Sequence, residues 1–388
     1  MAILFLIVFI DLVGFGLVIP LLPYYALHFH ATPWEVTSLM ACYSLAQLFS
    51  SPLLGRLSDK LGRKPILLAS LTVSVLSYLW LGFASALWML FAARLLAGAG
   101  AGNIAAAQAY IGDVTTPENR AKGMGLIGAA FGLGFTFGPV LGGVLAGTNP
   151  DAAALARPAF AAAGFSATAL VLAAVILKES LPAALRGRSD RPGRIALAQE
   201  AFGRPMLRHL IILFFLTTCA FSGLESTFAI WAFSGFGWGP EQVGWIFFYV
   251  GLILAAVQGG LLRRLSGRFG EARLTAGGAA LLVAGLIGLP FSANLAAILI
   301  VMAVLSLGLG CLNPSVTSLV SRAAGAEEQG GILGVNQSAQ SLARILGPWL
   351  AGWVYTAAGR NAPYYMGALI MLAVVAMAIR LPRGEKTA

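Results

Sequence analysis

Four ionisable side chains stand inside long apolar runs: Asp11, Arg94, Glu225 and Arg344. A charge in such a setting is costly, and it ordinarily faces a protein interior or a watered cavity and finds a partner there. Acids and guanidinium groups placed this way suit one chemistry, the reversible handling of a proton. A dry surrounding favours the neutral acid, whereas a nearby guanidinium favours the carboxylate. A carboxylate that alternates between the two loads a proton in one setting and releases it in the other. On this reading Asp11 is the main proton-coupling group, Glu225 assists it or meets cationic compounds, and Arg94 tunes the proton affinity. The competing reading of each is a static buried ion pair.

Other polar side chains recur at helical spacing near these charges. Thr218, Phe221, Ser222 and Phe228 share a face with Glu225. Asn336, Gln340 and Arg344 follow one another at i, i+4 and i+8, either lining a cleft or forming a hydrogen-bonded seam between helices. Tyr43 and Gln47 share a face, and Gln258 and Asn313 are further candidate contacts for a small molecule. Phe15, Tyr43, Phe221, Phe228, Trp231 and Tyr249 would suit a planar, amphipathic ligand. No nucleophile constellation or His/Glu metal cluster is present, and His28, His30 and His209 fall at loops and helix ends. The phosphate-cradling pattern Gly-x4-Gly-Lys-Ser/Thr is missing. An enzyme is therefore disfavoured, and neither a metal nor another cofactor is expected.

The elements that must position these groups are apolar helices. Hydrophobic residues make up 59% of the chain and charged residues 10%, against about a quarter charged in soluble domains. Cutting at polar breaks gives twelve apolar segments, at 2–25, 35–54, 65–83, 87–110, 123–147, 159–177, 207–233, 241–262, 273–291, 295–320, 330–356 and 361–381. Most approach the ~20 residues that cross ~30 Å of hydrocarbon. The net charge of +10 is gathered on alternate connections, which marks orientation in a bilayer and not a nucleic-acid footprint. Arg56, Lys60, Arg63 and Lys64, then Arg120 and Lys122, Arg186 to Arg208, Arg263 to Arg273 and the tail with Arg380, Arg383 and Lys386 lie on one side, whereas only Arg157 and Arg360 lie on the other. Both termini are thus expected in the cytoplasm. The first segment lacks a basic leader and carries Asp11, so it reads as a retained helix. Cys42, Cys219 and Cys311 all fall in apolar segments and imply no disulfide framework.

The chain also repeats itself. Gly55-Arg56-Leu57-Ser58-Asp59-Lys60-Leu61-Gly62-Arg63-Lys64 reads as a tight basic loop between apolar segments, and an altered copy returns at Arg263 to Ala272 with Gly267 in place of Asp59. Gly125 finds Gly334, Gly138-Pro139 finds Gly347-Pro348, and Gly143 finds Gly352. Two six-helix halves follow, 1–180 and 207–388, joined by a flexible cytoplasmic linker at 181–206. Equal orientation of the halves implies an axis along the membrane normal and a binding site near the midplane, the arrangement of alternating-access carriers.

Several motifs carry a family resemblance. The decamer resembles the loop between helices two and three of the major facilitator superfamily. Gly125, Gly134, Gly138-Pro139 and Gly142, spaced Gly-x8-Gly-x3-Gly-Pro-x2-Gly, look like the helix-five motif of its drug:proton antiporters. Arg94 with Gly98, Gly100 and Gly102 resembles the helix-four arginine motif, and Asp11 within Phe9 to Pro20 resembles the helix-one signature of twelve-spanner efflux pumps. The similarity is particularly to the tetracycline-efflux branch. It implies an all-α membrane fold of twelve helices in two pseudo-symmetric bundles, with helices one, four, seven and ten lining the cavity. It also implies a cytoplasmic latch formed from Gly55, Arg56, Asp59, Gly62, Arg63, Asp113 and Arg120. The glycines of helix five would leave a groove for close helix packing that opposes leakage. The pattern departs from that branch at Ser77, at Leu254 and in 273–291, where its characteristic acid, histidine and aspartate are missing. Tetracycline itself is therefore not carried over as substrate.

These readings converge on a proton-driven exporter of small amphipathic compounds, acting as a monomer in the inner membrane and powered by the proton gradient. A symporter or uniporter of a defined metabolite is the alternative. The charge pattern makes a direct prediction. A phosphatase fused after Lys386 should be inactive and a fluorescent protein there bright, whereas a phosphatase inserted at Asp151 should be active; reversed signals would overturn the orientation.

Overall fold

A computed structural model of the chain describes residues 2–182, 184, 186–187, 194–325 and 328–382, and within them not the side chains of 2, 117, 118, 120–122 and 194–196. The described residues are helical, without strands. The chain divides into two compact units, 1–190 with 229–248, and 191–228 with 249–388.

The first unit opens with α1 (Ala2–Val18) and α2 (Leu22–His28), followed by α3 (Pro33–Leu61) and α4 (Arg63–Gly82). Then come α5 (Leu87–Ala99), α6 (Asn103–Val114), α7 (Pro117–Ala146) and α8 (Ala152–Ile176). Local chemistry sets several of these starts. Thr32 and Glu35 form a reciprocal capping box ahead of α3, with Pro33 in its first turn. The Asp151 carboxylate accepts from the Ala154 amide at 2.7 Å and starts α8.

Helix α9 (Arg194–Gly203) falls inside the stretch expected to be a flexible linker, so part of that stretch is ordered as helix. Helices α10 (Pro205–Phe236) and α11 (Pro240–Ala256) each pass from one unit to the other. A single π-helical turn, Val257–Leu261, joins α11 to α12 (Leu262–Phe269). The second unit is completed by α13 (Glu271–Gly288), α14 (Leu295–Ala324), α15 (Gln329–Ala358) and α16 (Ala362–Ile379).

Ten helical segments among the described residues are long and apolar enough to cross a membrane. Two of the expected spans fall in α3 and α15, which have 29 and 30 residues and the length to cross, but carry more polar side chains. Leucine, valine and phenylalanine side chains stand outward along the helices, with Val175 78% and Phe49 71% exposed. So much apolar exterior belongs against hydrocarbon. The protein is a multi-pass membrane protein.

Close packing of α1 on α7 organises the first unit. Gly134, Gly138 and Gly142 lie on one face of α7, and a Cβ at Gly138 would stand 2.5 Å from Gly16 Cα. The groove expected along helix five exists there, and α1 fills it. Gly125 departs from the expectation, because a Cβ there would meet open space. The 229–248 segment rests on the same helix, where a Cβ at Gly244 would stand 2.5 Å from the Pro139 carbonyl oxygen. In the second unit, α13 and α14 approach closely at Gly278 and Gly308.

Gly138→Val should lower the apparent Tm in detergent by an amount reflecting ~1–3 kcal/mol or more of overpacking. Gly125→Ala should leave it unchanged or raise it, since alanine favours helix by about 1 kcal/mol. Equal losses in both variants would refute the α1–α7 contact as the organising one.

Candidate functional site

Asp11 occupies the middle of α1 and is 5% exposed. Ser166 on α8 donates to one carboxylate oxygen at 2.8 Å. The Asn103 amide on α6 donates to the other. Helix four, expected as one segment, is interrupted at Gly100 to Gly102, so Asn103 begins a new helix. Its own side-chain oxygen accepts from the Ile104 amide at 2.9 Å, which turns the side-chain NH2 toward Asp11. No salt bridge to Asp11 occurs among the described residues. A carboxyl group supported by two neutral donors can take up or release a proton without breaking an ion pair.

Arg94 on α5 is 3% exposed and does not pair with Asp11. Its guanidinium lies 4.6 Å from the Tyr43 ring centroid and 5.7 Å from that of Phe15. Its Nε and Nη1 have no hydrogen-bond partner among the described residues. Gly98, one turn on, lets α5 sit directly against the backbone of Tyr43 on α3, and Ser50 on α3 donates to the Gly98 carbonyl at 2.8 Å. The Phe15, Tyr43 and Phe135 rings form a half-buried cluster, with centroids 5.0 and 5.8 Å apart around Phe15. Gln47, one turn from Tyr43, is also half-buried.

In the second unit Glu225 on α10 interacts electrostatically with Arg344 on α15, and both are half-buried. Phe221 and Gln340 share that intermediate exposure. Ser222 does not line a cavity: it is buried, and its hydroxyl donates to the Cys219 carbonyl at 3.2 Å and the Ala343 carbonyl at 3.3 Å. A hydroxyl sealed into the α10–α15 seam stitches helices and cannot reach a ligand. Phe228 and Trp231 are likewise corrected, since each is 1% exposed and serves as core. Asn336 is buried with its side-chain oxygen lacking a partner among the described residues. Asn313 is half-buried beside Pro314 in α14, and Gln258 stands exposed on the π-helical turn.

The expected basic loop is mostly helix. Helix α3 runs to Leu61, and the turn is confined to Gly62, whose φ of 110° is a conformation that glycine tolerates. Arg63 is 5% exposed. Its Nη1 pairs with Asp59 at 2.6 Å and its Nε with Asp113 at 2.9 Å. The expected latch also includes Arg56 and Arg120. In the structure Arg56 is exposed, and the Arg120 side chain lies outside the described residues. A Cβ at Gly55 would meet nothing, so close approach there is not what the glycine provides.

Glu179 and Ser180 escaped the sequence reading. The Glu179 carboxylate accepts from the backbone amides of Arg63 at 2.8 Å, Lys64 at 3.1 Å and Leu181 at 3.0 Å, so the chain beyond α8 caps α4. Ser180 donates to Asp113 at 2.9 Å. Partial burial pushes the Glu179 carboxyl up, but the backbone donors outweigh it and hold it below the ordinary carboxylate value. The repeat is asymmetric here. In the second copy Glu271 supplies the acid, pairing with Arg322 and accepting from Ser318 at 2.7 Å.

A helical, multi-pass membrane fold with Asp11, Arg63 and Arg94 buried inside it fits the class of membrane carriers. The major facilitator superfamily model matches residues 4–348 and 234–388. The chain is 31% identical over 352 residues to the class C tetracycline resistance protein of Escherichia coli, covering 90% of this chain and 87% of that protein. It is 29% identical over 356 residues to multidrug resistance protein 2 of Bacillus subtilis (strain 168), covering 90% and 86%. Among solved structures, the human organic anion transporter MFSD10 superposes with a TM-score of 0.74 at 28% identity, covering 97% of this chain and 98% of that one. The chain belongs to the Major Facilitator Superfamily, a family of transporters and not of enzymes.

Glu179→Ala should lower stability by about 1–2 kcal/mol, as loss of a helix cap does. Because the folded-state value is depressed, its contribution is complete above the ordinary value of 4.5 and fades as pH falls through the lower folded value. The difference in Tm between wild type and variant should therefore be constant from pH 7 to 5 and shrink below that. A difference independent of pH down to the acid limit would sink the cap.

Proposed function

We propose that the protein is a proton-coupled secondary transporter that exports small amphipathic compounds by alternating access. It would act as a monomer in the inner membrane with both termini cytoplasmic. Twelve spans would form two six-helix bundles, 1–180 and 207–388. The observation that carries this reading is Asp11, a carboxyl group deep in α1 with two neutral hydrogen-bond donors. Such a group binds a proton in one state and yields it in another when its surroundings change by a few contacts. Glu225 beside Arg344 supplies a second acid. The tetracycline and multidrug resistance proteins among the relatives favour export as the direction. The polar stripe of Asn336, Gln340 and Arg344 favours a second reading, a symporter or uniporter of a polar metabolite.

The cluster around Arg63 would hold the cytoplasmic side in one conformation, with Asp59 and Asp113 as its partners. The proton gradient would be the energy source, and no bound cofactor is needed.

Purified protein in liposomes with an imposed pH gradient provides the test. Adding amphipathic compounds should collapse the gradient for one class, and Asp11→Asn should cut that flux at least tenfold while leaving Tm within a few degrees. Undiminished flux in Asp11→Asn would remove the proton role. Gradient-independent equilibration of a metabolite would favour the second reading.

A further inference from the structure

Two arginines of the first unit are almost wholly buried, and they are treated very differently. Arg63 is engaged by Asp59, Asp113 and the Ser58 hydroxyl at 2.6, 2.9 and 3.2 Å. The Arg94 guanidinium lies over the Phe15 and Tyr43 rings, and two of its nitrogens have no hydrogen-bond partner among the described residues. The titratable groups that act on Arg94 electrostatically are Tyr43, Tyr78 and Cys42. All three side-chain types are ordinarily uncharged at neutral pH. Asp11, the nearby acid, is occupied by Asn103 and Ser166. A buried guanidinium without an anion costs several kcal/mol, so a structural role would call for a partner.

We infer that Arg94 is the anion-binding group of the substrate site, and that the substrate is an aromatic acid whose carboxylate lies on this guanidinium and whose ring rests among Tyr43, Phe15 and Phe135. The inference rests on the transporter reading and narrows its substrate class. The planar guanidinium presents donors in a fork that matches a carboxylate. The rings beside it are half-buried and within stacking distance of each other, with centroids 5.0 Å apart for Phe15 and Tyr43. A planar apolar body therefore finds partners next to the charge. Tyr43 now covers the guanidinium, and a cation–π contact is worth about 0.5–2 kcal/mol. A desolvated, hydrogen-bonded carboxylate interacts more strongly than that, so an incoming acid can displace the ring. Gln47, one turn from Tyr43 on the same face of α3, stands near enough in the sequence pattern to meet a second polar group of the ligand.

Binding and transport separate the possible failures. Calorimetry on the detergent-purified full chain would use benzoate, 1-naphthoate and indole-3-acetate, each against its own primary amide. At least one acid should bind tenfold or more tightly than its amide. Arg94→Gln should erase that preference while leaving amide affinity within about threefold. Arg94→Lys, which keeps the charge and loses the fork, should retain a smaller preference and serves if the glutamine variant does not fold. No preference in any of the three pairs, or a preference that survives in Arg94→Gln, overturns the inference. The same compounds are then added to the liposomes. Gradient collapse by acid and amide alike, with equal binding, refutes the anion site and leaves the transporter standing. Selective binding of an acid without any flux retains the anion site and refutes the transport reading.

Discussion

The seating of α1 on α7 fixes what the rest of the first unit can do. Gly16 and Gly138 bring the two backbones to a separation that no side chain at either position would allow. Leu12 and Leu17 close over Gly134 and Gly142 on the same face. This contact sets both the depth and the rotation of α1, and Asp11 and Phe15 are carried by that helix. Asp11 is thereby turned toward α6 and α8, where Asn103 and Ser166 supply its hydrogen bonds. Phe15, one turn later, is turned toward Tyr43 and Arg94. A glycine stripe that looks like a passive packing motif is thus what sets the direction of Asp11 and Phe15.

The interruption of helix four has the same character. A continuous helix through Gly100 to Gly102 would present Asn103 in ordinary i, i+4 register. The break starts a new helix at Asn103, whose side-chain oxygen takes the next backbone amide and whose NH2 reaches the carboxylate. Irregular backbone at this depth is tolerated when protein surrounds it and its polar groups are paired. Arg94 lies before the break and Asn103 after it, so one chain segment serves two separate polar sites.

Much of this was legible in the residues. Composition and the long apolar runs announced a multi-pass membrane protein, and Asp11, Arg94 and Glu225 stood out as charges set inside those runs. The spacing of Gly134, Gly138 and Gly142 foretold a groove. What the residues could not show was who partners whom across helices. Ser166 is one of two hydroxyl residues in an alanine-rich helix, and only the α1–α8 contact singles it out. Glu179 looked like one more charge in a polar connection, because a helix cap supplied from more than a hundred residues away leaves no local signature. Ser222 and Phe228 shared a helical face with Glu225, yet helical periodicity gives direction without saying whether a neighbour fills the space. Gly55 and Gly125 fit their motifs by spacing, and each faces open space in the fold.

The repeat has diverged where charge is concerned. Both copies retain the turn glycine, Gly62 at φ 110° and Gly270 at φ 76°, because a backbone of that hand is needed to end one helix and start the next. The acid has moved, from Asp59 four residues before its arginine to Glu271 just after the turn, where it meets Arg322 on another helix. In the first unit the buried guanidinium of Arg63 pairs with Asp59 and Asp113, while its backbone amide donates to Glu179 and Ser180 donates to Asp113, so three chain segments meet around this residue. In the second, Arg263 and Arg264 line an open surface pocket of about 470 Å³ beside Gly259 and Gly260. Separating an inward-turned arginine from its two carboxylates would strand charge away from water, whereas arginines at an open pocket are already solvated. The two copies of the repeat therefore share a backbone turn and differ in the charge network built around it.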